Sequence, residues 1–141
     1  VSRLLRLLGG TGAQGHSPEH LAEAVSVTVR DAASQVEIQL GHFCNNRCVF
    51  CVSGQLTEQG LAPKIETAPI FAALEAAAAK GVTRVTFLGG EPTIQPSFLP
   101  SLKHALALGF TDVTIFTNGV RTWKSGFMEE VVALGRFTWR F

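Results

Sequence analysis

Apolar and polar positions change period repeatedly along this chain. Val36-Glu-Ile-Gln-Leu40 alternates at every second residue, as a strand with one buried face does. A long loop follows, and Ala68 to Lys80 then reads as a helix, with Thr67 as its N-cap and Gly81 as its stop. Val82 to Leu88 returns to strand. Ser97 to Leu108 is helical, with Phe98, Leu99, Leu102, Ala105 and Leu106 on one face and Gly109 beyond its end. Val113 to Phe116 is the next strand. Gly126 to Leu134 is the next helix, with Phe127, Val131 and Leu134 inward and Gly135 as its stop. A last strand begins at Phe137 and places Phe137, Trp139 and Phe141 on one face.

Strand followed by helix thus recurs three times from residue 36, and a fourth strand then begins. This rhythm predicts βαβ units and a parallel sheet, an α/β fold whose crossovers all turn right-handed. Loops that leave the strands gather at the C-terminal edge of such a sheet, where chemistry is usually placed. Before residue 36 the pattern is less regular. Ser2 to Leu8 has helical spacing, Gly9 to Gly15 is glycine-rich, Ser17-Pro18 opens a second short helix, and Val25 to Val29 alternates like a strand. The expected organisation is an N-terminal extension over residues 1–35 and a core over 36–141. Val1 in place of Met, and a last strand that stops without a turn, lead us to expect the front part of a longer protein, cut within its fourth core strand. The edge of that strand is expected to be aggregation-prone when left unpaired.

Composition narrows the class. Of 141 residues, 46% are hydrophobic and 16% charged, so the chain can bury a core. A net charge of +1 supplies no basic stripe and therefore no signal for a nucleic-acid partner. No apolar run reaches the ~18–20 residues of a membrane span. Arg3 and Arg6 interrupt the first leucines, which argues against a secretory signal. The three cysteines, Cys44, Cys48 and Cys51, lie within eight residues of one another. An odd, clustered set is no disulfide framework and implies a reducing compartment, most simply the cytoplasm.

Thiolates are soft ligands for iron–sulfur clusters and for zinc. Cys44-x3-Cys48-x2-Cys51 offers three thiolates on one loop, enough to hold three irons of a 4Fe–4S cube and leave the fourth open. A structural zinc site with His42 as fourth ligand, in a binding domain without catalysis, is the rival. Gly89-Gly-Glu-Pro92 follows a strand directly. Its glycines permit close backbone approach, and their carbonyls can accept from an ammonium; the same residues also make an ordinary tight turn. Thr117-Asn-Gly119 follows the next strand and is likewise a turn signal, with an amide able to face the mouth of the sheet. Gly10-Thr-Gly-Ala-Gln-Gly15 fits a dinucleotide fingerprint, but the residues before it have helical spacing, and the helix after it is delayed and short.

Together the three post-strand motifs resemble the radical S-adenosylmethionine (radical SAM) superfamily over about residues 36–141. The cysteine spacing, with the aromatic Phe50 before the last cysteine, and Gly89-Gly-Glu-Pro92 carry the resemblance. It implies a partial (β/α)6 barrel, of which this chain holds the first half to two-thirds. It implies that Cys44, Cys48 and Cys51 bind a 4Fe–4S cluster whose open iron is chelated by the amino and carboxylate groups of SAM. Gly89, Gly90, Glu91 and Pro92 are then the segment at the SAM amino group, Phe50 lies near the adenine, and Thr117 and Asn118 lie at the pocket. The implied chemistry is reductive cleavage of SAM to a 5′-deoxyadenosyl radical that takes hydrogen from a substrate not identified here. An electron donor such as a flavodoxin or ferredoxin is implied as a partner.

Overall fold

The computed structural model describes the backbone of residues 27–30 and all of residues 35–141. The helices expected at Ser2 to Leu8 and after Ser17, and the Gly10 to Gly15 fingerprint, lie outside the described residues. Five strands form one sheet in the order β1-β2-β3-β4-β5: β1 Val27–Arg30, β2 Gln35–Gln39, β3 Arg84–Leu88, β4 Asp112–Phe116 and β5 Thr138–Arg140. Strands β2 to β5 are parallel neighbours, and β1 pairs antiparallel with the free edge of β2. Among the described residues there are four α-helices: α1 Val52–Glu58, α2 Thr67–Ala79, α3 Phe98–Ala107 and α4 Phe127–Leu134. Sequential strand order, with no reversal, is the layout of a partial (β/α) barrel and not of a doubly wound sheet.

Strand alternation sorts the sheet into two faces. Val36, Ile38, Val85, Phe87, Val113 and Ile115 point to one side and are buried. The register sets Val36, Val85 and Val113 in one rung and Ile38, Phe87, Ile115 and Trp139 in another. α2 buries Ile70, Leu74 and Ala77 on this face, α3 buries Phe98, Ser101, Leu102 and Ala105, and α4 buries Phe127 and Val131. These are the i, i+3, i+4, i+7 positions of a helix lying on a sheet. Phe98 joins the layers, edge-on to Phe87 at 6.3 Å between centroids and beside Phe127 at 6.3 Å. The opposite face carries the polar rung Glu37, Thr86, Thr114 and Thr138.

Several sequence expectations need correction. α2 begins at Thr67 itself, and its N-cap is Glu66, which makes no side-chain cap bond; Gly81 then ends it at φ +78°. Residues 52–58, expected as loop, form α1. Phe141 does not share the cover of Phe137 and Trp139; it is 85% exposed. His104 stacks on Phe71 at 4.1 Å and bonds Glu75 at 3.0 Å, so it bridges α2 and α3.

Phe98 is fully buried between sheet and helices, so Phe98→Ala is expected to cost about 3–5 kcal/mol, read as a lower denaturant midpoint at unchanged slope.

Candidate functional site

The loops that leave β2, β3 and β4 meet at the C-terminal edge. After β2 the chain continues as Leu40 to Phe43 beside the segment that follows β3. Leu40 N–H donates to the Leu88 carbonyl at 2.9 Å, Gly90 N–H to Gly41 at 2.7 Å and Glu91 N–H to Phe43 at 3.0 Å. The parallel ladder therefore runs past both strand ends and carries Gly89-Gly-Glu against the residues that introduce Cys44.

That approach explains the glycines. Gly89 lies at φ +145°, and a Cβ there would stand 2.5 Å from the Gly41 carbonyl oxygen. At Gly90 a Cβ would run into the carbonyl oxygens of His42 and Phe43. Both positions are glycine because the chain itself occupies the space, whatever else approaches them. Their own carbonyls accept from no group among the described residues.

Glu91 is completely buried. Its Oε1 accepts from Thr93 N–H at 3.0 Å, the Thr93 hydroxyl at 2.5 Å and the Thr117 hydroxyl at 2.7 Å, and its Oε2 accepts from Asn118 N–H at 2.7 Å. A buried carboxyl group is tolerated when its lone pairs are met in this way. The bonds also lock the turn after β3 to the turn after β4. Pro92 is buried and opens the short 3-10 turn Pro92–Ile94. Arg121 strengthens the lock by donating to the Thr93 carbonyl at 2.5 Å while its guanidinium lies 4.7 Å over Phe127.

The cysteine loop is fastened on two sides. Gln95, 3% exposed, donates to the Phe43 carbonyl at 2.7 Å. Across the loop, Thr57 on α1 accepts from Cys44 N–H at 3.0 Å and donates to the Ser53 carbonyl at 2.8 Å. α1 can lie this close because Gly54 has no side chain: a Cβ there would stand 3.1 Å from the Asn46 carbonyl oxygen. None of Gln95, Thr57, Thr93 or Arg121 was singled out from the sequence. Polar residues in turns and short helices carry no periodic signal of burial.

All three cysteines are free. Cys44 and Cys51 are half-buried and Cys48 is exposed. The Cys44 sulfur receives Asn46 N–H at 3.4 Å and the Asn118 side-chain amide at 3.9 Å. Burial pushes the Cys44 thiol pKa up; the Asn46 N–H opposes this, and Glu91, Cys51 and Cys48 add to it electrostatically. The His42 ring lies within hydrogen-bond reach of Gln39 and Ser53, and burial lowers its pKa.

Among the described residues, no three of His, Cys, Asp and Glu converge on one ion position. Three free thiols on one loop are a soft donor set of the kind an iron–sulfur cluster takes, and His42 is turned to Gln39 and Ser53.

Gly89, Gly90, Thr117 and Asn118 line a cavity of about 470 Å³ on the polar face of the sheet, together with Glu37, Thr86, Leu88, Phe116, Arg140 and Phe141. Glu91 and Pro92 lie buried at its edge. Phe50 is 89% exposed beside Val49 and is not part of the lining. No helix among the described residues is long and apolar enough to cross a membrane.

Comparison with known proteins agrees with this architecture. A family model for the radical SAM superfamily matches residues 38–138. An S-adenosylmethionine-dependent nucleotide dehydratase of Flammeovirga pacifica is 37% identical over 90 residues, covering 60% of this chain and 30% of that protein. A GTP 3',8-cyclase of Chlorobaculum tepidum is 36% identical over 87 residues, covering 60% of this chain and 26% of the relative. A probable GTP 3',8-cyclase of Saccharolobus solfataricus is 32% identical over 85 residues, covering 60% and 27%. The chain thus spans between a quarter and a third of the length of these relatives.

Two outcomes are expected from this geometry. Gly90→Ala should lower stability by about 1–3 kcal/mol with no ligand present, because the collision is with the chain's own carbonyls; an unchanged melting curve would refute it. In cluster-free protein, iodoacetamide should label exposed Cys48 ahead of Cys44. Only the thiolate reacts, and the Cys44 pKa is raised, so its labelling should rise with pH over a window above that of an ordinary thiol.

Proposed function

The chain belongs to the radical SAM superfamily, enzymes whose cofactors are a 4Fe–4S cluster and SAM, and from that premise we propose that it is the cluster- and SAM-binding part of a radical SAM enzyme. When bound, these groups supply one-electron reductive cleavage of the SAM sulfonium and a 5′-deoxyadenosyl radical that takes hydrogen from the substrate.

Each residue has a definite task in this reading. Cys44, Cys48 and Cys51 would hold the cluster through their sulfurs. Gly89 and Gly90 offer unengaged carbonyls to the SAM ammonium, at a place where the backbone is already held by Gly41, His42 and Phe43. Glu91 and Pro92 keep that segment in position from below. Thr117 and Asn118 form the adjoining wall of the cavity. Phe50, exposed beside Val49, would lie near the adenine of SAM, and an electron donor such as a flavodoxin or ferredoxin would be the partner this chemistry requires. Phe116 and Leu88 give the cavity apolar walls.

The observation that carries the proposal is the junction itself. The cysteine loop and the Gly89-Gly-Glu segment are neighbours in one extended ladder, so the cluster ligands and the cofactor-facing backbone are set by the same hydrogen bonds.

The whole protein, reconstituted anaerobically with iron and sulfide and reduced with dithionite, should convert SAM to 5′-deoxyadenosine. The oxidised protein should not. Cys44→Ala, Cys48→Ala and Cys51→Ala should each lose most of the iron and all of this conversion. Full iron in all three variants, or no 5′-deoxyadenosine from the loaded parent, would overturn the proposal. Nucleotides are the first substrates to add, since the relatives described above are named for activities on them.

A further inference from the structure

The three cysteines do not have equal surroundings. Among the described residues, Cys44 is the one whose sulfur receives a side-chain hydrogen-bond donor, and that donor is Asn118, 74 positions further along the chain. Its amide is oriented without ambiguity. Val120 N–H donates to Asn118 Oδ1 at 3.1 Å, so the NH2 group must face the other way. There it donates to Asn45 Oδ1 at 2.8 Å and reaches toward the Cys44 sulfur at 3.9 Å. The backbone is held as well, since Asn118 N–H donates to the buried Glu91 at 2.7 Å. Both ends of the residue are thus fixed before any ligand arrives.

We propose that Asn118 tunes the cluster bound at Cys44: its amide N–H, aimed at that sulfur, makes the cluster easier to reduce. This rests on the assignment of Cys44 as a cluster ligand. Reduction adds one electron to the cluster, taken from an external reductant, and breaks no bond. The added negative charge spreads onto the ligand sulfurs, and a donor pointed at a sulfur stabilises it. Glu91, by accepting from Asn118 N–H, holds the backbone from which the amide reaches the sulfur. The turn after β4 reaches the cluster through Cys44, in addition to lining the cavity.

Two substitutions test this in reconstituted protein by redox titration with dithionite, followed by electron paramagnetic resonance. Asn118→Asp keeps the shape and the bond to Val120 but replaces the donor with an acceptor. Asn118→Leu removes the donor at similar volume. Both loaded variants should reduce at a more negative midpoint than the parent, and Asn118→Asp should shift further. A purely structural role would lower the iron content and leave the midpoint of the retained cluster where it was. Loaded variants that titrate with the parent would overturn the tuning role alone. If Cys44→Ala instead kept full iron and the parent midpoint, the ligand assignment beneath it would fail.

Discussion

The buried carboxyl group of Glu91 is the interaction on which the site depends. It accepts from Thr93, Thr117 and Asn118 and, with the Arg121 bond to the Thr93 carbonyl beside it, keeps the turn after β3 with the turn after β4. Removing such a group from water is costly, and the cost is met only when every donor is in place. The lock is therefore cooperative: if one turn moves, the other loses a partner inside a dry environment. The main-chain ladder from Leu40 to Glu91 then brings in the third loop, the one with the cysteines.

This junction stands on a one-sided sheet. Its apolar face is covered by α2, α3 and α4 and supplies the stability. Its polar face is left to line the cavity. Division by faces lets the C-terminal edge hold an exposed cysteine loop and unengaged carbonyls without endangering the core. The loop itself is not loosely hung. α1 braces it through Thr57, and Gln95 braces it through Phe43.

Family membership places the chemistry, and the geometry adds what the motifs leave open. Gly90 is required first by the chain's own backbone. Glu91 is required by its neighbouring turn. A motif read only as a list of ligand contacts would miss that both residues build the platform on which contacts are made.

The sequence by itself determined the strands, the three helices that cover the sheet, the parallel arrangement and the clustered thiols. Each of these is written in a local period or a short spacing, and burial of one face enforces it. It did not reveal α1, because Gly54 lowers helix propensity and seven residues offer little period; the helix exists through its packing on the cysteine loop. It also did not reveal the partners of Glu91, the reach of Asn118 to Cys44, or the engagement of His42 with Ser53. These join residues 26, 74 and 11 positions apart. Contacts of that kind have no signature along the chain, since a polar residue looks the same in a turn whether it faces water or a buried acceptor. Only the closing of the sheet brings the loop ends within hydrogen-bond distance and decides which it will be.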